Sequence, residues 1–361
     1  MRNCDFCRHC ERISGNFSPA GDFSFAKLTF DLSKEKRIKL IVKSLNHVLD
    51  GCGIKEFIYN ILILPQELYL PKKIMSAIIS KNNYGKSAVR VLKVKRDTSV
   101  HEIKEMTVNI QLEGDFESVH TEGDNRKVLP TDTMKNTVYA LAKENPVNSI
   151  EEFGKYLADY ILKENEQVDK VSIEIEEKLW SRIKIEDPLT NKERSNDHSF
   201  VSSGNEKRTS ETVVSRKGSW VKSGILDLVV LKTTESGFEN YIKDKFTTLK
   251  ETADRVFSTS IKAVWSYANQ EVNYVKVCAD IRKIILETFS THHSLSVQQT
   301  LFETGKNVIE KIKEINEISL SMPNKHYLLF NLEQFGMENK NEIFIPTDEP
   351  FGLIEATIKR K

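Results

Sequence analysis

The chain has 361 residues, with 53 lysines and arginines against 52 aspartates and glutamates. This length allows one large domain or two small ones with a substantial hydrophobic core. Because the charges balance, the composition lacks the basic field typical of nucleic-acid-binding proteins. No apolar run approaches the roughly 20 residues of a membrane-spanning helix, and Met1 to Cys10 lacks the pattern of a signal peptide. We therefore expect neither nucleic acid nor membrane as a partner.

Residues 1–82 are predicted to be an extension of unknown role, either disordered or helical. Cys4, Cys7 and Cys10 are closely spaced, and three thiolates could contribute to a zinc site. The usual two-pair ligand spacing is missing, however, which favours free thiols in an untethered segment. The apolar residues of 33–49 fall near helical spacing. Five cysteines in so long a chain indicate a reducing compartment rather than a disulfide scaffold.

The first regular elements are predicted strands. Residues 86–94 and 103–112 alternate between apolar and polar side chains and form a predicted hairpin. The apolar face of the second strand is formed by Met106, Val108, Ile110 and Leu112. Residues 115–128 are predicted to be a further extended stretch, broken near Gly123.

Two helices and more strands follow, and then the order repeats. The helices are predicted at 131–144, 150–163, 274–289 and 297–315, and the later strands at 171–175, 183–185, 200–201, 212–214, 225–231, 261–265, 318–320, 326–332 and 353–358. Strands, two helices and strands thus occur twice, which predicts an α+β fold of antiparallel sheet with paired helices on one face. The predicted units are 83–235 and 236–361.

The stretch from Val128 to Thr137 places a hydroxyl and a carboxylate at a helix start. Pro130 disfavours helix at the preceding residue, and either Thr131 or Asp132 can cap the first turn. The free N–H groups of a helix N-terminus suit an anionic ligand. A purely structural cap is the common alternative.

Companion stretches elsewhere in the chain favour the binding role of this helix start over a purely structural cap. With the 128–137 stretch they are, in order, Asn83-Tyr84-Gly85-Lys86, Asp197-His198-Ser199-Phe200, Ser236-Gly237-Phe238, Phe246-Thr247-Thr248-Leu249, Asp254-Arg255, Ser296-Val297-Gln298 and Ser321-Met322-Pro323-Asn324-Lys325-His326-Tyr327. In this order the chain, from about Asn83 to its end, resembles the urate oxidase (uricase) family.

The resemblance implies a tandem tunnelling fold (T-fold), whose subunits close into barrels and assemble as a homotetramer with active sites at subunit interfaces. It implies an oxidoreductase of purine degradation that acts without metal or cofactor. Urate, dioxygen and water give 5-hydroxyisourate and hydrogen peroxide. Family members from animals are peroxisomal, although this chain ends in Lys359-Arg360-Lys361 rather than in a Ser-Lys-Leu-like signal; the other expectation is a cytoplasmic location.

The resemblance also assigns contacts to a flat purine anion. Phe238 stacks on the rings, Arg255 presents its fork to one edge, and Gln298 pairs with the other edge. The Val297 backbone assists, and Leu249 closes the apolar wall. Taken singly, each residue has a structural alternative: Phe238 as core, Arg255 as a surface ion pair with Asp254, and Gln298 as a solvated helix residue.

The remaining assigned residues concern proton transfer and oxygen. By resemblance, Lys86, Thr131 and His326 form a proton relay, and Asn324 with Thr131 holds dioxygen and later water. Asp132 binds the ligand through its backbone N–H. A lysine acts as a base only if burial or nearby positive charge lowers its pKa. The structural alternatives are a solvated strand-end lysine and a core histidine.

The N-terminal extension weighs against a simple transfer of function. The extension precedes Lys86 directly and could obstruct the site, which leaves a non-catalytic purine- or pterin-binding T-fold protein as the alternative. Asn240-Tyr241 and Ala253 depart from the family pattern, although neither is expected to touch the polar contacts. His292-His293 is a vicinal pair without metal-ligand spacing, interpreted as a solvated helix end.

Overall fold

The computed structural model describes residues 77–269 and 271–361. The cysteine cluster and the predicted 33–49 helix lie outside the described residues. The described elements are β1 (Tyr84–Lys95), β2 (Glu102–Gly114), α1 (Glu117–Thr121), α2 (Thr131–Glu144), α3 (Ile150–Glu164), β3 (Val168–Glu186), β4 (Glu193–Ser215), β5 (Gly218–Lys232), β6 (Phe257–Tyr267), α4 (Tyr274–Thr291), α5 (Val297–Lys311), β7 (Ile315–Ser321), β8 (Asn324–Leu329), β9 (Phe344–Gly352) and β10 (Glu355–Lys359). Short 3-10 turns lie at Asn125–Lys127 and Glu333–Phe335.

The strands form one antiparallel sheet. Its order is β1-β2-β3-β4-β5-β6-β7-β10, and the hairpin of β8 and β9 joins through β6. Helices α2 and α3 pack on β1, β3 and β4, whereas α4 and α5 pack on β5, β7 and β10. The predicted α+β class, with paired helices packed on antiparallel sheet, is confirmed.

Strand alternation explains where the first core lies. Met106, Val108, Ile110 and Leu112 of β2 are at most 1% exposed, because alternate side chains of a strand point to the same face. Each such side chain contributes about 1.5–3 kcal/mol when it leaves water. Helices α2 and α3 complete this core, and a second core lies among β5, β6, β7, α4 and α5. The predicted unit boundary at 235/236 stays a prediction.

A buried polar cluster joins elements of the two cores. Arg208 of β4 lies 3.3 Å from Glu151 of α3 and 3.4 Å from Glu177 of β3. The hydroxyl of Ser223 in β5 donates to Glu151 at 2.7 Å, and the hydroxyl of Tyr267 in β6 donates to Ser223 at 2.8 Å. Glu151 is only 1% exposed. A buried carboxylate needs such partners, because an unpaired one costs several kcal/mol.

Some sequence predictions differ from the structure. The stretch 115–128 is not extended: it holds α1 and a 3-10 turn, whose Asp124 accepts from the backbone N–H of Arg126 at 3.1 Å. The two strands predicted at 171–175 and 183–185 are parts of one strand, β3. Helix α5 ends at Lys311 and not at Ile315, which opens β7.

Two strands carry matching irregularities. In β1 the pairing shifts just after Lys86, where Ala88 has a φ of 57°. In β5 the pairing shifts just after Ile225, where Asp227 has a φ of 59°. A bulge of this kind bends the strand and re-aims the adjacent side chains. Strands β1 and β5, which contribute to different cores, therefore share a local backbone feature.

Candidate active site

The first group of candidate residues lies between β1 and the start of α2. The hydroxyl of Tyr84 accepts from the backbone N–H of Leu129 at 2.9 Å and lies 3.3 Å from the carbonyl oxygen of the same residue. The Tyr84 ring packs edge-on against Phe116 at 4.8 Å. Tyr84 therefore holds the segment before α2 against β1, two residues from Lys86.

Lys86 is half-buried in β1. A side chain at Gly85 would meet the carbonyl oxygen of Ile110, 1.8 Å from the added Cβ. Only glycine allows so close an approach of β1 to β2. Because the bulge at Ala88 follows immediately, the position of Lys86 depends on local backbone geometry that propensities do not reveal.

Thr131 and Asp132 are the first two residues of α2, and neither is its cap. The N-cap is Pro130, without a side-chain cap bond, and the first helical bond runs from Met134 N–H to the Pro130 carbonyl. The predicted capping role is therefore wrong. The proline ring has no atom that could accept a hydrogen bond. The N–H groups of Thr131 and Asp132, which have no partner within the helix, are therefore not bound by a cap side chain.

The charge around Asp132 links it to the same group. Its carboxylate pairs with Lys135 and accepts from the Asn136 amide at 3.1 Å. The hydrogen bond from Lys135 is the main cause that lowers the pKa of Asp132, and the positive charge of Lys86 contributes. Lys86 therefore lies near enough to the start of α2 for its charge to favour the ionised form of Asp132.

The second group is built around the chain segment 236–238. The backbone N–H of Gly237 donates to Ser294 at 2.8 Å, and the N–H of Phe238 donates to Thr252 at 2.8 Å. The Thr252 N–H returns a bond to Phe238 at 3.2 Å. Phe238 is thereby held between the segment that precedes Arg255 and the turn that precedes α5.

Arg255 contacts Phe238. Its guanidinium carbon lies over the ring, 5.6 Å from the centroid, within the range of a cation–π contact. Burial lowers the pKa of Arg255, but a guanidinium stays charged at neutral pH. Asp254 instead accepts from the hydroxyl of Thr234 at 2.9 Å, and no ion pair of Arg255 occurs within 77–269 and 271–361. The structural alternative for Arg255, a surface ion pair with Asp254, is therefore not formed in this part of the chain.

Val297 and Gln298 open helix α5. The N-cap Ser296 accepts from Gln299 N–H at 3.1 Å, and the hydroxyl of Ser294 donates to the Ser296 carbonyl at 3.1 Å. Since Ser294 also accepts from Gly237, this helix N-terminus adjoins the Phe238 segment. Val297 is 3% exposed, whereas the Gln298 side chain is exposed. The backbone N–H groups of Val297 and Gln298, which the cap does not bind, and an available amide suit the edge of an electron-rich ring.

Asn324 and His326 lie on β8, beside the strand that follows Arg255. Asn324 pairs with Thr259 of β6, four residues after Arg255. Both Asn324 and His326 are half-buried, so His326 is not a core histidine. Leu249 is 61% exposed on the loop between Phe238 and Thr252, a position compatible with an outer wall.

Some of the buried side-chain polar atoms that lack a hydrogen-bond partner lie in the segments of this second group, and others lie around Arg208. In the second group these atoms are Ser236 Oγ, Arg255 Nε, Thr259 Oγ1 and His292 Nε2. Buried polar groups in native proteins normally have partners. A polar ligand or water bound here would therefore gain hydrogen bonds that the protein does not satisfy by itself.

The two half-sites lie far apart on one chain. Lys86 is on β1, an end strand of the sheet, whereas Arg255 precedes β6, with four strands in between. At the usual strand spacing this separation is about 24 Å along the sheet. Proton transfer needs contacts of about 3 Å. The residues within each group are therefore close together in one chain, but the Lys86 group and the Arg255 group are far from each other.

Tyr241, which departs from the family pattern, contacts a candidate site residue. Its ring stacks on Phe238, with centroids 4.9 Å apart and planes 12° apart. No propensity or motif signals this contact, because it depends on the shape of the 239–251 loop. His292 and His293 do lie at the end of α4, but His293 pairs with Glu235 and His292 is half-buried. Burial lowers the pKa of His292.

Within 77–269 and 271–361, no group of three or more His, Cys, Asp and Glu side chains is arranged to hold a metal ion. No helix in this part of the chain is long and apolar enough to cross a membrane.

Comparison with known proteins places this arrangement in a family. The family model described as Uricase matches residues 82–213 and 221–355. The chain is 42% identical to the uricase of Arthrobacter globiformis over 284 residues, which cover 79% of this chain and 90% of that protein. The chain belongs to the uricase family. It is also 40% identical to the uricase of Dictyostelium discoideum, over 79% of this chain and 98% of that protein.

Solved uricase structures agree with the fold. The crystal structure of uricase from Arthrobacter globiformis aligns with a TM-score of 0.74 at 41% identity, over 79% of this chain and 96% of that chain. A uricase structure from Bacillus fastidious aligns with a TM-score of 0.69 at 25% identity, over 78% of this chain and 94% of that chain. The predicted resemblance to uricases, and with it the T-fold, is confirmed.

Proposed function

We propose that this protein is a urate oxidase that converts urate, dioxygen and water into 5-hydroxyisourate and hydrogen peroxide. Membership of the uricase family supports the reaction class. The observation that carries the proposal for this chain is the grouping of Phe238, Arg255 and the α5 N-terminus. An aromatic face, a planar cation and an amide with free N–H groups are what a flat purine anion requires.

The proposed substrate contacts follow from this chemistry. Phe238 stacks on the purine, and Arg255 donates from its fork to an oxygen-bearing edge. Gln298 and the Val297 N–H contact the opposite edge, where the amide can donate and accept. Leu249 excludes water from the side of the ring. Binding of the anion would also give the buried Nε of Arg255 a partner that the unliganded chain does not provide.

The proposed chemistry requires proton removal and an oxygen site. Urate loses protons and transfers one electron to dioxygen, and recombination of the two radicals forms a hydroperoxide at C5. Water then replaces peroxide, so that one dioxygen and one water give one hydroxylated product and one hydrogen peroxide. Lys86, Thr131 and His326 relay the protons, and Asn324 with Thr131 holds dioxygen and then water.

Completion of the site requires a second subunit. Because Lys86 and Arg255 lie on distant parts of one sheet, we propose that the Lys86 half of one subunit meets the Arg255 half of another. Subunits would close into barrels and assemble as a homotetramer. The backbone N–H of Asp132 then faces the purine across the subunit boundary.

A mixing experiment tests the shared site. Lys86→Met and Arg255→Met would each be inactive alone. If the halves come from different subunits, unfolding the two variants together and refolding them should restore activity, with about a quarter of the sites intact. Each variant refolded alone controls for recovery that does not depend on mixing of the two kinds of subunit. Recovery of no activity from correctly assembled mixtures would contradict the shared site.

The activity itself is tested by stoichiometry. Full-length protein, treated with chelator, should consume urate and dioxygen and release peroxide in equal amounts. Turnover that disappears on chelation and returns with added metal would contradict the cofactor-free reaction. If the full chain shows no turnover of urate but residues 82–361 alone do, the extension blocks the site. A peroxisomal location also stays a proposal, which fractionation of the source cells tests.

A further inference from the structure

The loop between Phe238 and Thr252 is organised around one aromatic side chain, that of Tyr241. The loop begins and ends at the paired backbones of Phe238 and Thr252. Inside it, Glu251 accepts from the backbone N–H of Asn240 at 3.1 Å and pairs with Lys243 at 3.0 Å. The Lys243 ammonium in turn lies 5.5 Å from the centroid of the Tyr241 ring.

The ring of Tyr241 covers one face of Phe238. The centroid distance of 4.9 Å and the 12° interplanar angle define an offset stack. The Arg255 guanidinium also lies over Phe238, 5.6 Å from the ring centroid. A purine can therefore stack only on the part of the ring that Tyr241 and Arg255 leave free. With Tyr241 on one side, Phe238 cannot turn toward that side, and its ring plane is set before any ligand binds.

The hydroxyl of Tyr241 has a separate contact. It donates to the backbone carbonyl of Leu249 at 2.6 Å. The Leu249 side chain is 61% exposed, so packing alone does not hold it. Tyr241 therefore stacks with its ring on Phe238, the proposed stacking residue, and donates a hydrogen bond from its hydroxyl to Leu249, the proposed wall residue.

We infer that Tyr241 is a positioning residue of the urate site, which orients the Phe238 ring through its own ring and the Leu249 wall through its hydroxyl. The inference rests on the proposed substrate contacts of Phe238 and Leu249. Tyr241 itself does not touch the reacting atoms. Its contribution is pre-organisation, because a stacking surface that is already ordered loses less freedom on binding.

The expected effects separate the two contacts. Tyr241→Leu removes the stack, which should raise the KM for urate roughly 2- to 10-fold, while kcat changes by less than about twofold because the lost contribution concerns binding. Tyr241→Phe keeps the stack and removes only the bond to Leu249. Its KM should lie between those of the unaltered protein and Tyr241→Leu. As a matched control, Tyr160→Leu alters a 41% exposed tyrosine on α3 and should leave KM unchanged.

A double-mutant cycle distinguishes positioning from a general structural effect. If Tyr241 acts through Phe238, Tyr241→Leu should raise KM by less than about twofold in a Phe238→Ala background, because the two effects share one contact. Multiplicative effects in the double variant would overturn the inference. A lower KM in Tyr241→Leu would also overturn it, since the tyrosine would then compete with urate for the ring.

The cycle also separates this inference from the proposed site. If Phe238→Ala leaves KM unchanged in an assembled, active protein, the proposed stacking contact is wrong and the inference fails with it. If Phe238→Ala raises KM but Tyr241→Leu does not, only the positioning role fails. Near-ultraviolet circular dichroism and size-exclusion chromatography identify misfolded variants, and Tyr241→Phe still reports on the hydroxyl contact when Tyr241→Leu does not fold.

Discussion

Replacement of Arg255 by methionine removes the guanidinium but keeps a long flexible side chain. In the unliganded protein the Arg255 Nε is buried without a hydrogen-bond partner, a state that costs about 1–3 kcal/mol. The replacement also removes the contact with Phe238, which is worth about 1 kcal/mol. The free energy of unfolding should therefore stay equal or rise by up to about 2 kcal/mol.

Urate affinity should change in the opposite sense. Hydrogen bonds to a charged group contribute about 1.5–3 kcal/mol, so loss of the fork should weaken binding on the order of 100-fold. Binding can be measured by titration under argon, where urate is not oxidised, and stability by thermal unfolding without ligand.

Arg182 provides a matched control for this prediction. It also lies over a phenylalanine ring, 5.1 Å from the centroid of Phe200, but its guanidinium donates to the carbonyl of Asp197 at 2.8 Å. Arg182→Met should therefore destabilise the fold and leave urate affinity unchanged. If Arg255→Met instead destabilises the protein and binds urate normally, Arg255 is structural and the reasoning is refuted.

Three further predictions concern the first half-site and the core. Lys86→Met should lower kcat about 10²- to 10⁴-fold, as expected for loss of acid–base catalysis, with Lys81→Met unchanged; steady-state kinetics that show normal turnover would exclude the relay. Gly85→Ala should lower the free energy of unfolding by about 1–3 kcal/mol through overpacking against Ile110, as denaturant titration can measure. Burial raises the pKa of the Cys278 thiol to about 11, so it stays protonated at pH 8; peptide mapping should find it alkylated only after unfolding, and fast native labelling would contradict its burial.

Regular elements were predictable where one physical signal acts alone. The β2 alternation from Met106 to Leu112 follows from burial of one strand face, and the α2 bounds at Thr131 and Glu144 follow from Pro130 and Pro146. Helix α5 was predicted too long, because the apolar residues that continue its pattern also begin a buried strand. Periodicity cannot separate these cases over a few residues.

The site was predictable as a set of residues but not as an arrangement. The resemblance named Phe238 and Arg255, and the structure places them in contact. It did not reveal the bulge at Ala88 or the stack of Tyr241, since both depend on tertiary backbone geometry. The assigned roles in proton transfer and oxygen binding stay predictions.

The buried Glu151 has a counterpart at the start of the second pair of helices. Ser149 caps α3 by accepting from Glu152 N–H at 3.1 Å, just as Ser296 caps α5. Glu151 thus holds in α3 the position that Gln298 holds in α5, but Arg208 and Ser223 bind it inside the fold.

In the strands the buried residue belongs to the second repeat. Ile225 precedes the bulge of β5 as Lys86 precedes the bulge of β1, and Ile225 is only 1% exposed. At both pairs of corresponding positions, a polar side chain is accessible in one repeat and a buried residue stands in the other. Each repeat therefore leaves a polar side chain accessible at only one of these two positions, Lys86 in the first repeat and Gln298 in the second.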